Sequence, residues 1–332
     1  MKVTLNEIAE LAGVGLATVD RVLNERGGVT PGAARKVVDA ARQLGWARTL
    51  PKLYRTGLRF EALLGRREIP LFARISDAFD RVLPTIDRSV AIYRTFLDDA
   101  KPDRIAQAIR KTRGNAIIVY GQEHDSILDA IAAATSAGVP VITMVSDLPT
   151  TPRLAYVGIN HYNAGRAAAF LMARMAVLPG PFVAICDSFR YRAHAERISG
   201  FRDGLAEYAA SSPAPVIVEG LDNEDCARDL LIDALRGLPD AAGVYNAGAL
   251  NGSVEQALAV APSAGGRVVI GHDLTPDTIR MLQNGDMTLA LDQNPDLQVR
   301  RALDILFARF GLSEKSDVGG AVPFTIHVKD NI

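Results

Sequence analysis

Two kinds of hydrophobic spacing divide the chain near residue 58. Over the first 46 residues, apolar positions recur every three to four residues in three short runs, as on amphipathic helices. From Leu58 onward, apolar runs alternate with amphipathic segments of about 10 to 15 residues, the pattern of βαβ units in a parallel sheet. The pattern predicts a small helical head at 1–46, a linker at 47–57 and a larger α/β core at 58–332.

The first two helices of the head have start and stop signals. Thr4 and Glu7 have the spacing of a capping box, so the first helix should begin at Leu5. Gly13 is placed to end that helix in a left-handed conformation, and a second helix opens at Gly15 or Leu16. A connection of about three to four residues that contains glycine is the length that a helix-turn-helix requires.

A third helix is predicted after Thr30 and Pro31, which supply an N-cap and a first-turn proline. Gly45 ends it.

The glycines of Gly13-Val14-Gly15 also suggest a phosphate-binding loop, but their neighbours argue against it. A dinucleotide fingerprint needs G-x-G-x-x-G after a buried strand. Here a helix precedes the glycines, and Thr18 stands where the third glycine belongs. A Walker loop needs Gly-Lys-Ser or Gly-Lys-Thr, and the chain has neither. The glycines therefore form the turn of a helix pair.

The core contains nine predicted strands, at 58–64, 89–96, 115–121, 139–145, 181–187, 214–220, 242–248, 267–273 and 288–294. Nine strands exceed one sheet with short crossovers, so we expect two doubly wound lobes. The first lobe is assigned to about 58–161 plus 290–320, and the second to about 162–289 plus 321–332.

Charge is spread unevenly along the chain. The formal net charge is -1, yet residues 1–60 contain ten Lys or Arg and only five acids. A basic module on an acidic body favours nucleic acid as a partner. No apolar run approaches the ~18 residues of a membrane span, and the N-terminus lacks a secretory apolar run, so we expect a cytoplasmic protein without a membrane partner.

Catalytic and metal-binding signatures are weak throughout the sequence. Cys186 and Cys226 are too few for a disulfide framework or a metal cluster. The chain has no G-x-S-x-G and no H-E-x-x-H, and its five histidines are scattered. We expect no enzyme activity, no cofactor and no metal.

The head resembles that of the lactose-repressor (LacI/GalR) family of bacterial transcription regulators. The matching residues are Thr4-Leu5, Ile8-Ala9, Ala12-Gly13-Val14, Ala17-Thr18-Val19, Arg21-Val22-Leu23-Asn24, Val29 and Leu44-Gly45-Trp46. The resemblance implies a second helix in the major groove, with Leu16, Ala17 and Arg21 at base edges. It places Thr4, Thr18, Asn24 and Thr30 at phosphates.

Two features depart from the family pattern. Asp20 replaces the usual serine, and its carboxylate either repels phosphate, accepts a hydrogen bond from cytosine or orients Arg21. In "GWARTLPKLYRTGLRF", Pro51 interrupts any hinge helix that begins at Ala47. Leu50 or Leu53 serves as a minor-groove wedge, or the segment is a plain linker.

The resemblance extends more loosely over the core and implies a periplasmic-binding-protein-like fold, whose two lobes close on a small molecule. Ligands of open α/β sheets bind beyond the carboxyl ends of the strands. The match implies that Phe72 stacks on a ring and that hydroxyls are bound by Arg197, Asn246, Asp273 and Gln293, with Asp147 and Asn160 as further candidates. A pentose, hexose or cyclic polyol is the first choice, and a nucleobase or phosphorylated sugar is the alternative.

The function implied is operator binding by a homodimer whose affinity is set by this small effector. Two heads on a two-fold axis read two half-sites. Whether the effector strengthens or weakens operator binding stays open. A solute-binding transport protein would share the core but would need an export signal in place of the head.

Overall fold

The computed structural model describes residues 3–46, 50, 57–86, 90–177, 179–261, 265–313 and 320–332. The head consists of three helices, α1 (Leu5–Ala12), α2 (Leu16–Leu23) and α3 (Pro31–Leu44). Thr4 and Glu7 form the predicted capping box, and Gly13 leaves α1 with a left-handed φ of 62°. The predicted helix-turn-helix is confirmed, because the apolar faces of all three helices pack into one small core.

Leu50 joins the head to the rest of the molecule. Its side chain is 1% exposed and belongs to the head core, while its N–H donates to the carbonyl of Gly311 at 2.5 Å. The Nη1 of Arg309 donates to the carbonyl of Arg42 at 2.6 Å, near the end of α3. These hydrogen bonds connect the head to the core. Pro51 and Leu53 lie outside the described residues.

The first lobe of the core is built on a five-stranded parallel sheet. Its strands are β1 (Leu58–Leu64), β2 (Val90–Phe96), β3 (Ala116–Val119), β4 (Val141–Met144) and β5 (Ala155–Val157), in the order β2-β1-β3-β4-β5. The helices that follow the first three strands are α4 (Pro70–Val82), α5 (Pro102–Arg110) and α6 (Asp125–Ser136). With three residues, β5 is too short to produce a detectable sequence pattern.

The second lobe is built on a six-stranded sheet in the order β11-β10-β9-β8-β6-β7. Its strands are β6 (Phe182–Cys186), β7 (Val216–Glu219), β8 (Gly243–Asn246), β9 (Val268–His272), β10 (Leu289–Asp292) and β11 (Thr325–His327), and only the β10–β11 pair is antiparallel. Its helices are α7 (His161–Met175), α8 (Arg192–Tyr208), α9 (Glu224–Gly237), α10 (Asn251–Val260) and α11 (Pro276–Asn284). Nine of the strands in the two sheets match the nine predicted positions.

The chain passes from the first lobe to the second after β5, returns after β10 and ends in the second lobe at β11. The last helix, α12 (Pro295–Arg309), packs on α4 and therefore belongs to the first lobe. The sequence predicted that the chain returns to the first lobe at about residue 290. Strand β10, which includes that residue, instead pairs with β9 in the second sheet. The crossover lies a few residues later, at Gln293 and Asn294.

Helices α7 and α8 approach each other closely at two glycines. A Cβ on Gly165 would lie 2.0 Å from the carbonyl oxygen of Arg197, and one on Gly200 would lie 2.0 Å from that of Tyr162. Backbone-to-backbone contact holds the two helices in one fixed relation. Within the described ranges, no helix combines the length and apolar character needed to cross a membrane.

Candidate functional site

A cleft lies between the two lobes, where the carboxyl ends of the parallel strands meet. Together with the open solvent at its mouth, it contains about 500 Å³ of unfilled space. The residues that line it include Arg66, Phe72, Asp99, Tyr120, Asp187, Tyr191, His194, Arg197, Asp222, Asp273 and Gln293. Both lobes contribute to this set, so lobe closure would assemble the site.

An aromatic wall forms one side of the cleft. Phe72 is 2% exposed and packs on Tyr120 with ring centroids 4.6 Å apart. Tyr120 in turn stacks on Tyr191 at 5.5 Å, with planes 11° apart. Phe72 is close to the backbone at Gly65, where a Cβ would lie 2.3 Å from the ring. The wall offers an apolar face of the kind that packs on a ring.

Arg197 of α8 is held in the cleft by two hydrogen bonds. Its Nε donates to Nδ1 of His161 at 3.1 Å, and its Nη1 donates to the carbonyl of Ala247 at 2.9 Å. His161 is a neutral acceptor at Nδ1, because its Nε2 donates to the carbonyl of Val145. Burial, and then the Arg197 charge, hold the pKa of His161 well below its usual value. The Nη2 of Arg197 is buried with no partner among the described residues.

Asp273 and Gln293 also line the cleft, and the charge of Arg197 acts on Asp273. The Nε2 of Gln293 donates to both carboxylate oxygens of Asp273, at 3.1 and 3.0 Å. The Oε1 of Gln293 is buried without a partner in the described structure. Burial, and then the charge of Asp292, raise the pKa of Asp273. One unpaired donor and one unpaired acceptor suit hydroxyl groups, which both donate and accept.

Three further carboxylates line the cleft and form what is called here its acidic side: Asp99, Asp187 and Asp222. Asp99 accepts from Arg66 Nε at 2.9 Å and from the Tyr191 hydroxyl at 2.8 Å. Asp187 accepts from the Ala249 N–H at 2.8 Å. Asp222 lies beside them, and burial, followed by the charges of Asp187 and Asp99, raises its pKa to about 6.

Sequence reasoning missed these three carboxylates. They follow β2, β6 and β7, so the search at the carboxyl ends of strands carried the signal needed to find them.

Three of the predicted effector residues lie outside the cleft. Asp147 pairs with Arg153, with Oδ1 2.5 Å from Nε and Oδ2 2.6 Å from Nη2. Asn160 caps α7 by accepting from the Asn163 N–H at 2.8 Å. The chain turns away from the cleft at Val145, where φ is 67°, so the segment that follows faces another surface.

Asn246 is the third predicted effector residue that lies outside the cleft. Its side chain lies behind the cleft, where it donates to Asn251 Oδ1 at 2.7 Å and accepts from the Gly248 N–H at 3.0 Å. It thereby supports the loop that supplies the Ala247 carbonyl to Arg197 and the Ala249 N–H to Asp187. Its role in the structure is positioning.

The predicted DNA-facing residues lie on the outer face of the head. Leu16 is 48% exposed, and Ala17, Arg21, Asn24, Thr4 and Thr30 are also exposed, with Thr18 partly so. Asp20 accepts from Asn24 Nδ2 at 2.8 Å and pairs with Arg26 Nη1 at 2.7 Å. Asp20 therefore contacts Asn24 and Arg26 in this structure and does not orient Arg21.

Comparison with known proteins agrees with this geometry. The model for bacterial regulatory proteins of the lacI family matches residues 4–48, and the model for the periplasmic binding protein domain matches residues 86–311. The HTH-type transcriptional regulator DegA of Bacillus subtilis is 22% identical over 66% of this chain and 65% of its own length. Catabolite control protein A of Streptococcus mutans is 20% identical over 89% of this chain and 85% of its own length.

Solved structures share the core fold. A solute-binding protein of an ABC transporter from Burkholderia graminis, in complex with D-arabinose, superposes with a TM-score of 0.73 and is 21% identical. The match covers 83% of this chain and 96% of that one. Neither matching family model describes an enzyme. The chain therefore joins a head of the lacI family of bacterial regulatory proteins to a core that belongs to the periplasmic binding protein domain family.

Proposed function

We propose that this protein is a sequence-specific DNA-binding transcription regulator, acting as a repressor, and that a small hydroxylated molecule in the cleft controls its affinity for the operator. A sugar or a polyol is the first choice. The observation that carries the proposal is that one chain joins a helix-turn-helix, with exposed residues on its second helix, to a two-lobed cleft. In that cleft, polar atoms of Arg197 and Gln293 have no partner among the described residues.

On the DNA side, Leu16, Ala17 and Arg21 are the proposed base-edge contacts. Arg21 is the candidate for a guanine, and the two apolar side chains suit a thymine methyl group. The proposed phosphate contacts are Thr4, Thr18, Asn24 and Thr30. One head buries little surface, so we expect a homodimer whose two heads read two half-sites.

On the effector side, Phe72 is proposed to stack on the ring while Arg197, Asp273 and Gln293 bind its hydroxyls. The D-arabinose complex of the related solute-binding protein supports a sugar-like ligand for this fold. Effector binding favours one arrangement of the lobes over the other, and that preference shifts the position of the heads.

The DNA proposal is tested by measuring the affinity of the purified protein for its own upstream DNA over a range of salt concentrations. We expect a clear preference over bulk DNA, because base contacts add to the salt-dependent phosphate contacts. Arg21→Ala should weaken operator binding by about ten- to a hundredfold while bulk DNA binding changes far less. Arg236→Ala removes an exposed arginine on α9 and is the control. Equal affinity of the wild type for both DNAs would overturn the proposal.

The effector proposal is tested by calorimetric titration of sugars and polyols into the wild type and Arg197→Lys. Lysine keeps the positive charge but lacks the second guanidinium nitrogen. We expect a ligand that binds the wild type to lose about tenfold in affinity, equivalent to about 1.4 kcal/mol. Equal binding to both proteins would show that Arg197 does not contact the ligand.

A further inference from the structure

The acidic side of the cleft contains more negative than positive charge. The charge of Asp99 is matched by Arg66, at 2.9 Å. Asp187 accepts a hydrogen bond from a neutral backbone N–H, at Ala249, and burial raises its pKa although the charge of Arg197 acts on it in the opposite direction. The carboxylate of Asp222 has no hydrogen-bond or ion-pair partner in the parts of the chain that the structure describes. Arg66 and Arg190 act on Asp222 only from a distance, and burial still raises its pKa to about 6.

The backbone is arranged to bring these carboxylates into the cleft. A Cβ on Gly248 would lie 1.7 Å from Oδ2 of Asp187, so only glycine lets this carboxylate occupy its place. Asp222 has a left-handed φ of 56°, which Asp and Asn adopt more readily than most residues. The two carboxylates are therefore specific features of the loops after β6 and β7.

His194 adds a third acceptor beside them. Its Nδ1 lies 3.1 Å from the carbonyl of Ser188, so Nδ1 carries the proton. Burial, and then the charge of Arg197, lower the pKa of His194 to about 3, so the ring is neutral near pH 7. Its Nε2 therefore presents a lone pair, 3.8 Å from Oδ2 of Asp187. Among the described residues, Asp187, Asp222 and His194 form a group of acceptors, and no side-chain hydrogen-bond donor is paired with Asp187 or Asp222.

The space that adjoins this group is also acidic. Glu68 and Glu224 line it together with Asp187 and Asp222, and Arg66 is the positively charged residue among those that line it. A surface of one sign beside a cleft concentrates ligands of the opposite sign. The approach to the cleft on this side therefore favours a cation.

A second part of the same cleft also points to a ligand. Arg197 is 2% exposed and Gln293 is 1% exposed, and each has a buried polar atom with no partner among the described residues. Buried polar atoms are normally satisfied in the functional state. The ligand must therefore offer hydroxyl groups to these atoms while it meets the acceptors of the acidic side.

We propose that the effector is a hydroxylated ring that carries an ammonium group, an amino sugar or an aminocyclitol, with the ammonium bound by Asp187, Asp222 and His194. This inference rests on the proposed function, because it assumes that the effector binds in the cleft. An ammonium supplies three N–H donors to three acceptors, and its charge balances the excess of carboxylates. A hydroxyl at the same place supplies one donor and leaves the other acceptors unpaired.

The proposal is tested by calorimetric titration of matched pairs into the full-length protein at neutral pH. The probes are D-glucosamine with D-glucose, D-galactosamine with D-galactose, and scyllo-inosamine with scyllo-inositol. N-acetyl-D-glucosamine keeps the nitrogen but not the charge. We expect the amine of at least one pair to bind about tenfold or more tightly than its neutral partner and than the acetylated form.

Two variants locate the ammonium. Asp222→Asn removes the charge at a position where asparagine tolerates the backbone conformation, and should weaken amine binding by about tenfold. Asp225→Asn is the matched control, because it removes the same charge three residues later from an exposed pair with Arg228 and should leave amine binding unchanged. An equal loss in both variants would assign the effect to general electrostatics and would overturn the ammonium site.

Neutral rings that bind as tightly as their amines, or a panel in which no amine binds, would also overturn the proposal. Operator binding is measured on the same samples. If the protein selects its operator and a neutral sugar changes that affinity, the proposed function stands and only the ammonium assignment fails. If operator selection is absent, the proposed function itself fails.

Discussion

Gly165→Ala tests the close packing of α7 on α8, which holds Arg197 in the cleft. The added Cβ would lie 2.0 Å from the Arg197 carbonyl oxygen, whereas ordinary contacts begin near 3.4 Å. The neighbouring atom is helical backbone and cannot rotate away, so the helices must separate by about 1 Å. Overpacking of this kind costs about 3 kcal/mol at its upper end, and the better helix propensity of alanine returns about 1 kcal/mol. We expect a net loss of about 2 kcal/mol.

Thermal unfolding followed by circular dichroism measures this loss. For a chain of this size, about 2 kcal/mol corresponds to a fall in Tm of about 3 °C. Gly237→Ala is the control, because Gly237 is the last residue of α9 and a Cβ added there would meet no atom within 4 Å. It should be neutral or stabilising by up to about 1 kcal/mol. If the two variants are equally stable, the helices adjust freely and the packing does not fix Arg197.

Asp222→Asn should stabilise the ligand-free protein by about 1–2 kcal/mol at pH 7, because burial raises the carboxyl pKa from 3.8 to about 6 and partial exposure screens the effect. The difference from the wild type should be absent below about pH 4 and grow up to about pH 6. A gap in denaturation free energy that is independent of pH would contradict this. Asp20→Asn should strengthen bulk DNA binding and steepen its salt dependence by less than about one unit, because it frees Arg26 and removes a charge near phosphate. An unchanged slope in fluorescence anisotropy would count against it. Arg309→Met should speed proteolysis of the linker, because the hydrogen bond to the Arg42 carbonyl is lost, and an unaltered cleavage rate would show that this bond does not hold the head.

The sequence was most informative where a local rule governs local structure. Capping at Thr4 and the left-handed exit at Gly13 depend on residues within one turn of the helix, and both formed as predicted. Buried parallel strands are continuous apolar runs, and most of the nine correctly placed strands are of this kind, whereas the edge strands β2 and β7 are partly exposed. The three-residue β5 was missed because hydrogen bonding to β4, and not its own pattern, makes it a strand.

The cleft was harder to predict, because it depends on the direction of each side chain. Asp147 and Asp187 both follow strands, but a turn at Val145 sends Asp147 to Arg153 while Gly248 makes room for Asp187 in the cleft. Neither a positive φ at valine nor contact between distant loops is visible in one sequence. The positions of the acidic residues after strands were visible in the sequence, but which of them face the cleft was not.

Helix α12 gives the cleft a rigid link to the head. Gln293 lines the cleft one residue before Asn294, the N-cap of α12. At the other end of this helix, its last residue, Arg309, donates a hydrogen bond to the Arg42 carbonyl of the head. Fifteen residues of α-helix span about 22 Å, and such a rod neither stretches nor shortens appreciably under thermal forces. A ligand that draws Gln293 toward Arg197 would therefore move the far end of the rod by a similar distance. Ligand binding in the cleft would therefore shift Arg309, and with it the hydrogen bond that connects the core to the head.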